Sequence, residues 1–302
     1  MTALRARAPG KVNLCLFVGA PRADGLHPLI SVVQPVSLAD ELCLEPAPPG
    51  ASRDEVRCAG VEGVNLAAKA LAAYRQATGW SAPPQRLTIV KRVPVAAGMG
   101  GGSGDAAAAL RLAAYAAGHP NDPVLRELAP GLGADVPAQI DPSRAFVTGV
   151  GEEVEPLPAP ALFGVLVLPS RQGLSTPAVY AQADLMGIGR RAEDLLVRRS
   201  AVRAAATALP TKLLHNDLEA AACALSPAIA PALADARAAG ADHAMVSGSG
   251  PTVLGFFKGS DGPGRARAAA ATLRASGSHP RAVAAEPVGS QFARPRADPP
   301  QG

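Results

Sequence analysis

Apolar positions recur in two rhythms along this chain. Residues 12–18 (VNLCLFV) and 86–93 (RLTIVKRV) alternate, which is the period of a strand. The apolar run at 29–44 (LISVVQPVSLADELCL) predicts two strands divided at Pro35, because proline cannot donate to a ladder. Pro46 to Ser52 is turn-rich. Residues 65–78 carry apolar side chains at 66, 67, 70, 71 and 74, which is helical spacing, with Asn65 as N-cap. A glycine-rich stretch then leads into a helix that stops at Gly118, and another helix covers 122–131. Strands are predicted at 145–150 and 162–168, with PLPAPAL at 156–162 as the linker between two parts of the chain. Helices follow near 177–186, 193–208, 216–224 and 227–239. A strand pair at 244–246 and 253–257 flanks SGSGPT, and a helix at 263–276 precedes a strand at 281–286. Residues 287–302 are Pro/Arg/Ala-rich without periodicity and predict a disordered tail. Strands and helices interleave in both halves, so the fold class is α+β in two lobes, 1–157 and 158–286, with a ligand cleft between them.

Composition narrows the function classes. The chain has 302 residues, 48% of them hydrophobic but only 3% aromatic, so the core is built from Ala, Val and Leu. The net charge of +4 is scattered arginine, with five lysines among 29 basic residues and no basic block that predicts a nucleic-acid arm. Cys15, Cys43, Cys58 and Cys223 form no C-x-x-C pair and have no His at ligand spacing. A zinc or disulfide framework is not expected, and reduced thiols in a cytoplasmic compartment are. The N-terminal MTALRARAPGKVNL lacks the apolar run of a signal peptide, and no stretch is long enough to span a membrane.

The chemistry concentrates at PVAAGMGGGSGDAAA, residues 94–108, with five glycines between Gly98 and Gly104. A glycine loop opening a helix gathers bare N–H groups and the positive dipole end at one spot, which suits a phosphate. A plain helix start with Ser103 as N-cap is the alternative. The loop is not a Walker A, because Gly102 is followed by Ser103-Gly104-Asp105 and not by Lys-Ser/Thr. Gly102-x-Gly104-x-x-Ala107 matches the dinucleotide fingerprint formally, yet Asp122, at the ribose spacing, sits in the turn GHPNDP and not at a strand end.

The loop fits P-x-x-x-G-[LM]-G-G-G-S-x-[DN]-A-A and resembles the phosphate loop of the GHMP kinases. Ala8-Pro9-Gly10-Lys11-Val12-Asn13-Leu14 resembles the first motif of that superfamily. Arg22-Ala23-Asp24-Gly25-Leu26-His27-Pro28-Leu29 and Leu132-Gly133-Ala134-Asp135-Val136-Pro137 are similar to segments of one family within it, the kinases of 4-diphosphocytidyl-2-C-methyl-D-erythritol. Ser175-Thr176-Pro177, Asn216-Asp217-Leu218-Glu219 and Ser247-Gly248-Ser249-Gly250-Pro251 follow in matching order. The resemblance spans about residues 5–287. The D-G-x-H and L-G-A-D-V-P segments separate it from homoserine and mevalonate kinases.

The resemblance implies a two-lobed GHMP kinase fold, with an N-terminal ATP-binding α/β lobe, a C-terminal ferredoxin-like lobe and the active site in the cleft. It implies ATP as phosphoryl donor and Mg²⁺ bridging its phosphates. Asp135 would be the base that takes the acceptor proton, though by its sequence alone it also suits a turn cap before Pro137. Lys11 would hold Asp135 ionised and offset developing charge; otherwise it is a solvated lysine. Asn13 would hydrogen-bond the substrate hydroxyl or Lys11. Pro94, Gly98, Gly100, Gly101, Gly102, Ser103 and Gly104 would wrap the ATP phosphates, with Gly104 replacing a family serine. Asn65 and Lys91 would line the adenine pocket. His27 would read cytosine, with Leu26 in place of the expected Tyr. Thr176 and Tyr180 would contact the substrate, Tyr180 offering a stacking face. Ser247 to Gly250 would support the phosphate loop or only turn the chain. The expected partner is a small substrate bearing cytidine diphosphate, without nucleic acid or membrane, for a monomer or weak homodimer.

Overall fold

The computed structural model describes residues 3–61, 63, 65–206 and 211–298. Two long antiparallel strands, β1 (Leu4–Val18) and β2 (Leu29–Pro46), form its spine. β3 (Glu55–Cys58), α1 (Leu66–Thr78), β4 (Gln85–Val90), α2 (Gly101–Ala116), α3 (Val124–Leu132), α4 (Val136–Ile140), β5 (Ala145–Thr148) and β6 (Glu153–Pro156) follow. Next come β7 (Phe163–Leu168), α5 (Thr176–Leu185), α6 (Ala192–Ala205), β8 (His215–Asn216), α7 (Glu219–Leu225) and α8 (Ile229–Ala238). The chain continues through β9 (His243–Val246), β10 (Val253–Lys258), α9 (Gly262–Ala275), β11 (Val283–Ala285) and β12 (Arg296–Ala297).

The first sheet has the order β12-β1-β2-β4-β3, with β5 on β2, β6 on β5 and β8 on β1. The second sheet runs β11-β7-β10-β9, every neighbour antiparallel. With α8 before β9 and α9 before β11, that order is the ferredoxin-like arrangement. Two cores meet along the spine. The early half of β1 and late half of β2 (Ala6, Ala8, Leu42, Leu44) pack with Leu87, Ile89 and the buried faces of α1 and α2. The other half (Val12, Leu14, Phe17, Ile30, Val32) packs with Phe163, Val165, Val167, Leu254 and Phe256 of the second sheet. α2 lies deep because its buried residues are small: Ala106 to Ala109, Ala113 and Ala114 are solvent-inaccessible.

The structure corrects several expectations. β2 runs through Pro35 unbroken. Pro35 faces Lys11 beside a register shift between Pro9 and Lys11, so the missing N–H falls where the ladder is already irregular. β3, α4 and β6 are too short for periodicity to reveal. β6 ends at Pro156 and Leu157 is buried, so only part of the expected linker is open loop. Residues 207 and 208 of the helix expected at 193–208 lie outside the described residues. The segment expected to be disordered from 287 is ordered through 298: it forms a 3₁₀ turn at 290–293 and β12, which pairs with β1. Its composition carried no sign of this, because its order comes from pairing with distant strands. Residues 299–302 lie outside the described residues. Among the described residues, no helix is long and apolar enough to cross a membrane.

Candidate active site

The irregularities of β1 aim its polar residues. Register shifts fall between Pro9 and Lys11 and between Asn13 and Cys15, and such shifts turn side chains out of the regular alternation. Lys11, buried, donates from Nζ to Asn13 Oδ1 (2.8 Å) and stands 3.4 Å from Asp135 Oδ2. Asn13 Nδ2 donates to Ser31 Oγ (2.8 Å), and Ser31 Oγ donates to the Cys15 carbonyl (2.6 Å). This relay fixes the amide of Asn13 with its oxygen toward Lys11. Asp135 sits at the N-cap position of α4, yet its side chain makes no capping bond. Its carboxylate is 45% exposed and faces the cleft, so the turn-cap alternative does not describe it.

The glycine loop brings the helix N-terminus to the same place. Gly100 is the N-cap of α2, with φ +65° and no side-chain cap bond. Ser103 is therefore inside the first turn and not its cap. The leading N–H groups of α2 have no intrahelical acceptor, and the dipole favours an anion there. A Cβ on Gly100 would lie 3.0 Å from Lys11 Cγ and 3.6 Å from Asp135 Oδ2. Gly101 stands beside Lys91 and Val93, and a Cβ on Gly102 would meet only Leu66 Cδ1 of α1, at 3.8 Å. Gly104, where the family has serine, packs against the Pro9 carbonyl, 3.2 Å from where a Cβ would stand. The second lobe meets the loop at Gly98: Ser247 Oγ donates to the Gly98 carbonyl at 3.1 Å. The Ser247–Gly250 turn thus braces the loop as well as turning the chain.

A cavity of about 860 Å³ opens over these groups, lined from both lobes. Asn65, Leu66, Cys58, Lys91 and Pro94 line it on the side of the first lobe. Asn65 Oδ1 accepts from Ala67 N–H at 2.9 Å and so caps α1 as the sequence indicates. The Lys91 ammonium is bound to Asp40 Oδ2 (2.5 Å) and Asp105 Oδ2 (2.7 Å). Burial works against its charge, but the two carboxylates outweigh burial and leave its pKa above the usual lysine value.

His27, Thr176, Tyr180 and Asp184 line the cavity elsewhere. The His27 ring is buried, its Nδ1 lies 3.0 Å from the Gly19 carbonyl, and Nε2 lies 3.5 Å from Asp184 Oδ2. A carbonyl can only accept, so Nδ1 carries the proton in that bond. The ring packs against Tyr180 with centroids 4.8 Å apart. Tyr180 is pushed up to about 12 by burial and by the Asp135 carboxylate. Thr176 Oγ1 is 2.9 Å from Ser249 Oγ of the bracing turn. Leu26 is 50% exposed at the cavity rim.

The structure brings Lys11, Asn13, Asp135, Gly98, Gly100, Gly101, Gly102, Ser103, His27, Thr176 and Tyr180 to one cavity, but not Gly104, which is buried against Pro9 with its N–H bonded to the Gly100 carbonyl. It adds Ser31, Asp105 and Asp184, with Asp40 buried behind Lys91, which the sequence reading missed. Only Asp105 carried a signal, as the [DN] of the loop pattern; the others depend on strand register and lobe packing. Among the described residues, no group of three His, Cys, Asp or Glu side chains converges to hold a metal ion.

Comparison with known proteins agrees with this geometry. Residues 65–141 match the model of the GHMP kinases N terminal domain, and residues 199–279 match that of the GHMP kinases C terminal domain. A 4-diphosphocytidyl-2-C-methyl-D-erythritol kinase of Nocardioides sp. is 40% identical over 295 residues, covering 92% of this chain and 95% of that protein. One of Streptomyces coelicolor is 40% identical over 287 residues, covering 90% and 92%. The crystal structure of a 4-(cytidine 5'-diphospho)-2C-methyl-D-erythritol kinase superposes with a TM-score of 0.74 at 34% identity, covering 94% of this chain and 100% of the other. A loop that offers bare amides to a phosphate, a lysine–aspartate pair at its mouth and this full-length likeness have one common explanation: the chain belongs to the GHMP kinase family, in the branch of the 4-diphosphocytidyl-2-C-methyl-D-erythritol kinases.

Proposed function

We propose that this chain transfers the γ-phosphoryl group of ATP to the 2-hydroxyl of 4-diphosphocytidyl-2-C-methyl-D-erythritol, in non-mevalonate isoprenoid precursor biosynthesis. The observation that supports it most is the convergence of Lys11, Asp135 and the uncapped N-terminus of α2 on one point of the cleft. Phosphoryl transfer needs little covalent help and depends on position and charge. Asp135 takes the hydroxyl proton and aims the oxygen in line. Lys11, 3.4 Å from Asp135 Oδ2, balances charge as it develops on the phosphoryl oxygens. Asn13 holds Lys11 in place. The amides of the loop from Gly98 to Ser103 cradle the β- and γ-phosphates, behind Pro94, while the Gly104 N–H that the resemblance would add donates to the Gly100 carbonyl instead. Asn65 and Lys91 border the adenosine side. His27, Thr176 and Tyr180 hold the cytidine-bearing acceptor, with cytosine read at His27.

Mg²⁺ would enter this site as a companion of the nucleotide, held on the protein side by Asp135, whose partly exposed carboxylate faces the cleft. When bound, the ion neutralises phosphate charge. Residues 1–157 act as the nucleotide lobe and 158–286 as the second lobe. The enzyme works in the cytoplasm, as a monomer or weak homodimer, without a nucleic-acid partner.

The test is ADP release with the cytidine diphospho-substrate, homoserine, mevalonate and free methylerythritol phosphate side by side. Turnover confined to the first is the expected result. No turnover with it, or preference for homoserine or mevalonate, overturns the reading. Equal turnover of free methylerythritol phosphate removes cytosine recognition from His27.

A further inference from the structure

Behind the phosphate loop lies a charged cluster whose two carboxylates have no part in the reaction as proposed. Asp40, on β2, is fully buried. Its Oδ1 accepts the N–H groups of Arg92 (2.5 Å) and Val93 (2.8 Å), and its Oδ2 accepts from Lys91. Asp105, on α2, is 4% exposed; its Oδ2 accepts from Lys91, and its Oδ1 has no partner among the described residues. Lys91 ends the approach to the loop and Asp105 follows it, so one ammonium ties together the two ends of the segment that would hold the phosphates. A Cβ on Gly101, in the first turn of α2, would stand 3.3 Å from Lys91 Nζ.

The charge of this cluster is unbalanced. Two carboxylates against one ammonium leave a net negative charge beneath a site built for polyphosphate. Burying an ionised oxygen with no donor is also costly. Other nearby groups offer no compensation. Cys58 on β3 carries a thiol raised by burial. Lys11 and Asp135, beyond Gly100, pair with each other. The buried face of α1 against α2 is Ala67, Ala70, Leu71 and Tyr74. The stretch of β1 next to Gly104 is Ala8 and Pro9. α3 and α4 present Ala129, Val136 and Gln139.

We propose that Asp105 is a positioning residue that holds the Lys91 ammonium with its own carboxyl protonated and neutral when nucleotide is bound, so that nucleotide binding takes up a proton from solvent onto Asp105 Oδ1. The inference rests on the ATP site proposed above. The unbound protein is already poised for it: burial, then the neighbouring Asp40 charge, push Asp105 up to about 7 against the opposing pull of Lys91. Bound phosphates add further negative charge and raise it more.

Calorimetric titration of the full chain with MgADP at pH 8, in buffers of different ionisation enthalpy, counts the protons directly. About one proton taken up per nucleotide is expected, with Kd rising roughly tenfold from pH 7 to 8.5 by linkage. Asp105→Asn keeps the shape, cannot ionise, and is expected to bind with no uptake and with a flat Kd over that range. Wild-type uptake near zero, or the same uptake in the variant, overturns the inference. If Asp105→Asn does not fold, the buffer series on the wild type still decides. Failure of the wild type to bind MgADP at all is a different outcome and overturns the ATP site itself.

Discussion

Substituting Gly98 by alanine places a methyl group 1.8 Å from the Ser247 carbonyl oxygen. No rotamer relieves that contact, because both partners are backbone. The residue also sits at φ +71°, where a side chain costs roughly 1–2 kcal/mol. Forced repacking adds about 1–3 kcal/mol. The sum, roughly 2–5 kcal/mol, corresponds to a fall in Tm on the order of 3–8 °C for a chain of this size. Gly102→Ala is the matched control. Its Cβ would meet only Leu66 Cδ1, at an ordinary 3.8 Å, and alanine favours a helix over glycine by up to about 1 kcal/mol. Gly102 lines the cavity, however, so its methyl group intrudes where the phosphates approach. Gly102→Ala is therefore expected to keep or raise Tm while weakening ATP about tenfold, or 1.4 kcal/mol. Gly101 would give a blurred answer, since a side chain there also presses on Val93 and Lys91. Differential scanning calorimetry with ATP titration on both variants separates the two roles. A Gly98→Ala protein that melts with the wild type, or a Gly102→Ala protein that melts earlier but binds ATP normally, would refute the division of the loop into a braced stem and a ligand-facing tip.

Asp135→Asn is expected to lose turnover by ~10²–10⁴-fold, the worth of a general base, with ATP affinity changed only a few-fold; turnover within tenfold of wild type removes Asp135 from the reaction. His27→Ala is expected to raise Kd for the cytidine-bearing substrate roughly ten- to hundredfold and spare ATP, by loss of a buried polar partner; equal weakening of both ligands would sink the cytosine assignment. Acid stability should turn on Asp217. Burial opposes its charge, but bonds from His215, Arg190 and the Val18 N–H overcome this and hold its pKa down to about 2. The folded value lies below the unfolded one, so the stabilisation is full above about pH 4 and is lost as pH falls toward 2. Unfolding free energies from urea titration at pH 6 and pH 3 should differ by about 1 kcal/mol more in wild type than in Asp217→Asn, and parallel behaviour of the two proteins would contradict it.

The parts of this molecule legible in the sequence are those set by local chemistry. α1 starts at Asn65 because an amide oxygen there can accept Ala67 N–H. The phosphate loop is legible because few structures tolerate five glycines in seven residues. What was hidden depends on distant partners. Pro35 reads as a strand break only until the register shift opposite it is known. Lys91 reads as a ligand contact, and nothing nearby in sequence shows that Asp40 and Asp105 hold its ammonium. Asp184 lies within an ordinary helix and gains meaning only from the approach of His27.

The segment after β11 has a further consequence for the open edges of the first sheet. β5 covers β2 only at 31–33 and β4 only at 41–46, leaving backbone bare between them. Residues 286–288 fill that gap: Ser37 N–H donates to the Glu286 carbonyl, Val288 N–H to the Pro35 carbonyl, and Gln34 Nε2 to the Val288 carbonyl. The chain then crosses to the other side of the spine. Phe292 lies under the Arg7 guanidinium, Arg296 and Ala297 pair with Arg5 and Leu4, and Asp298 grips Arg5 through both carboxylate oxygens. Unpaired strand backbone beside apolar side chains is a template for intermolecular β-pairing. A stretch whose composition reads as expendable thus covers strand backbone that would otherwise stand open to pairing, and its proline and charge content, useless for a core, is of the kind that discourages edge-to-edge pairing of an outermost strand.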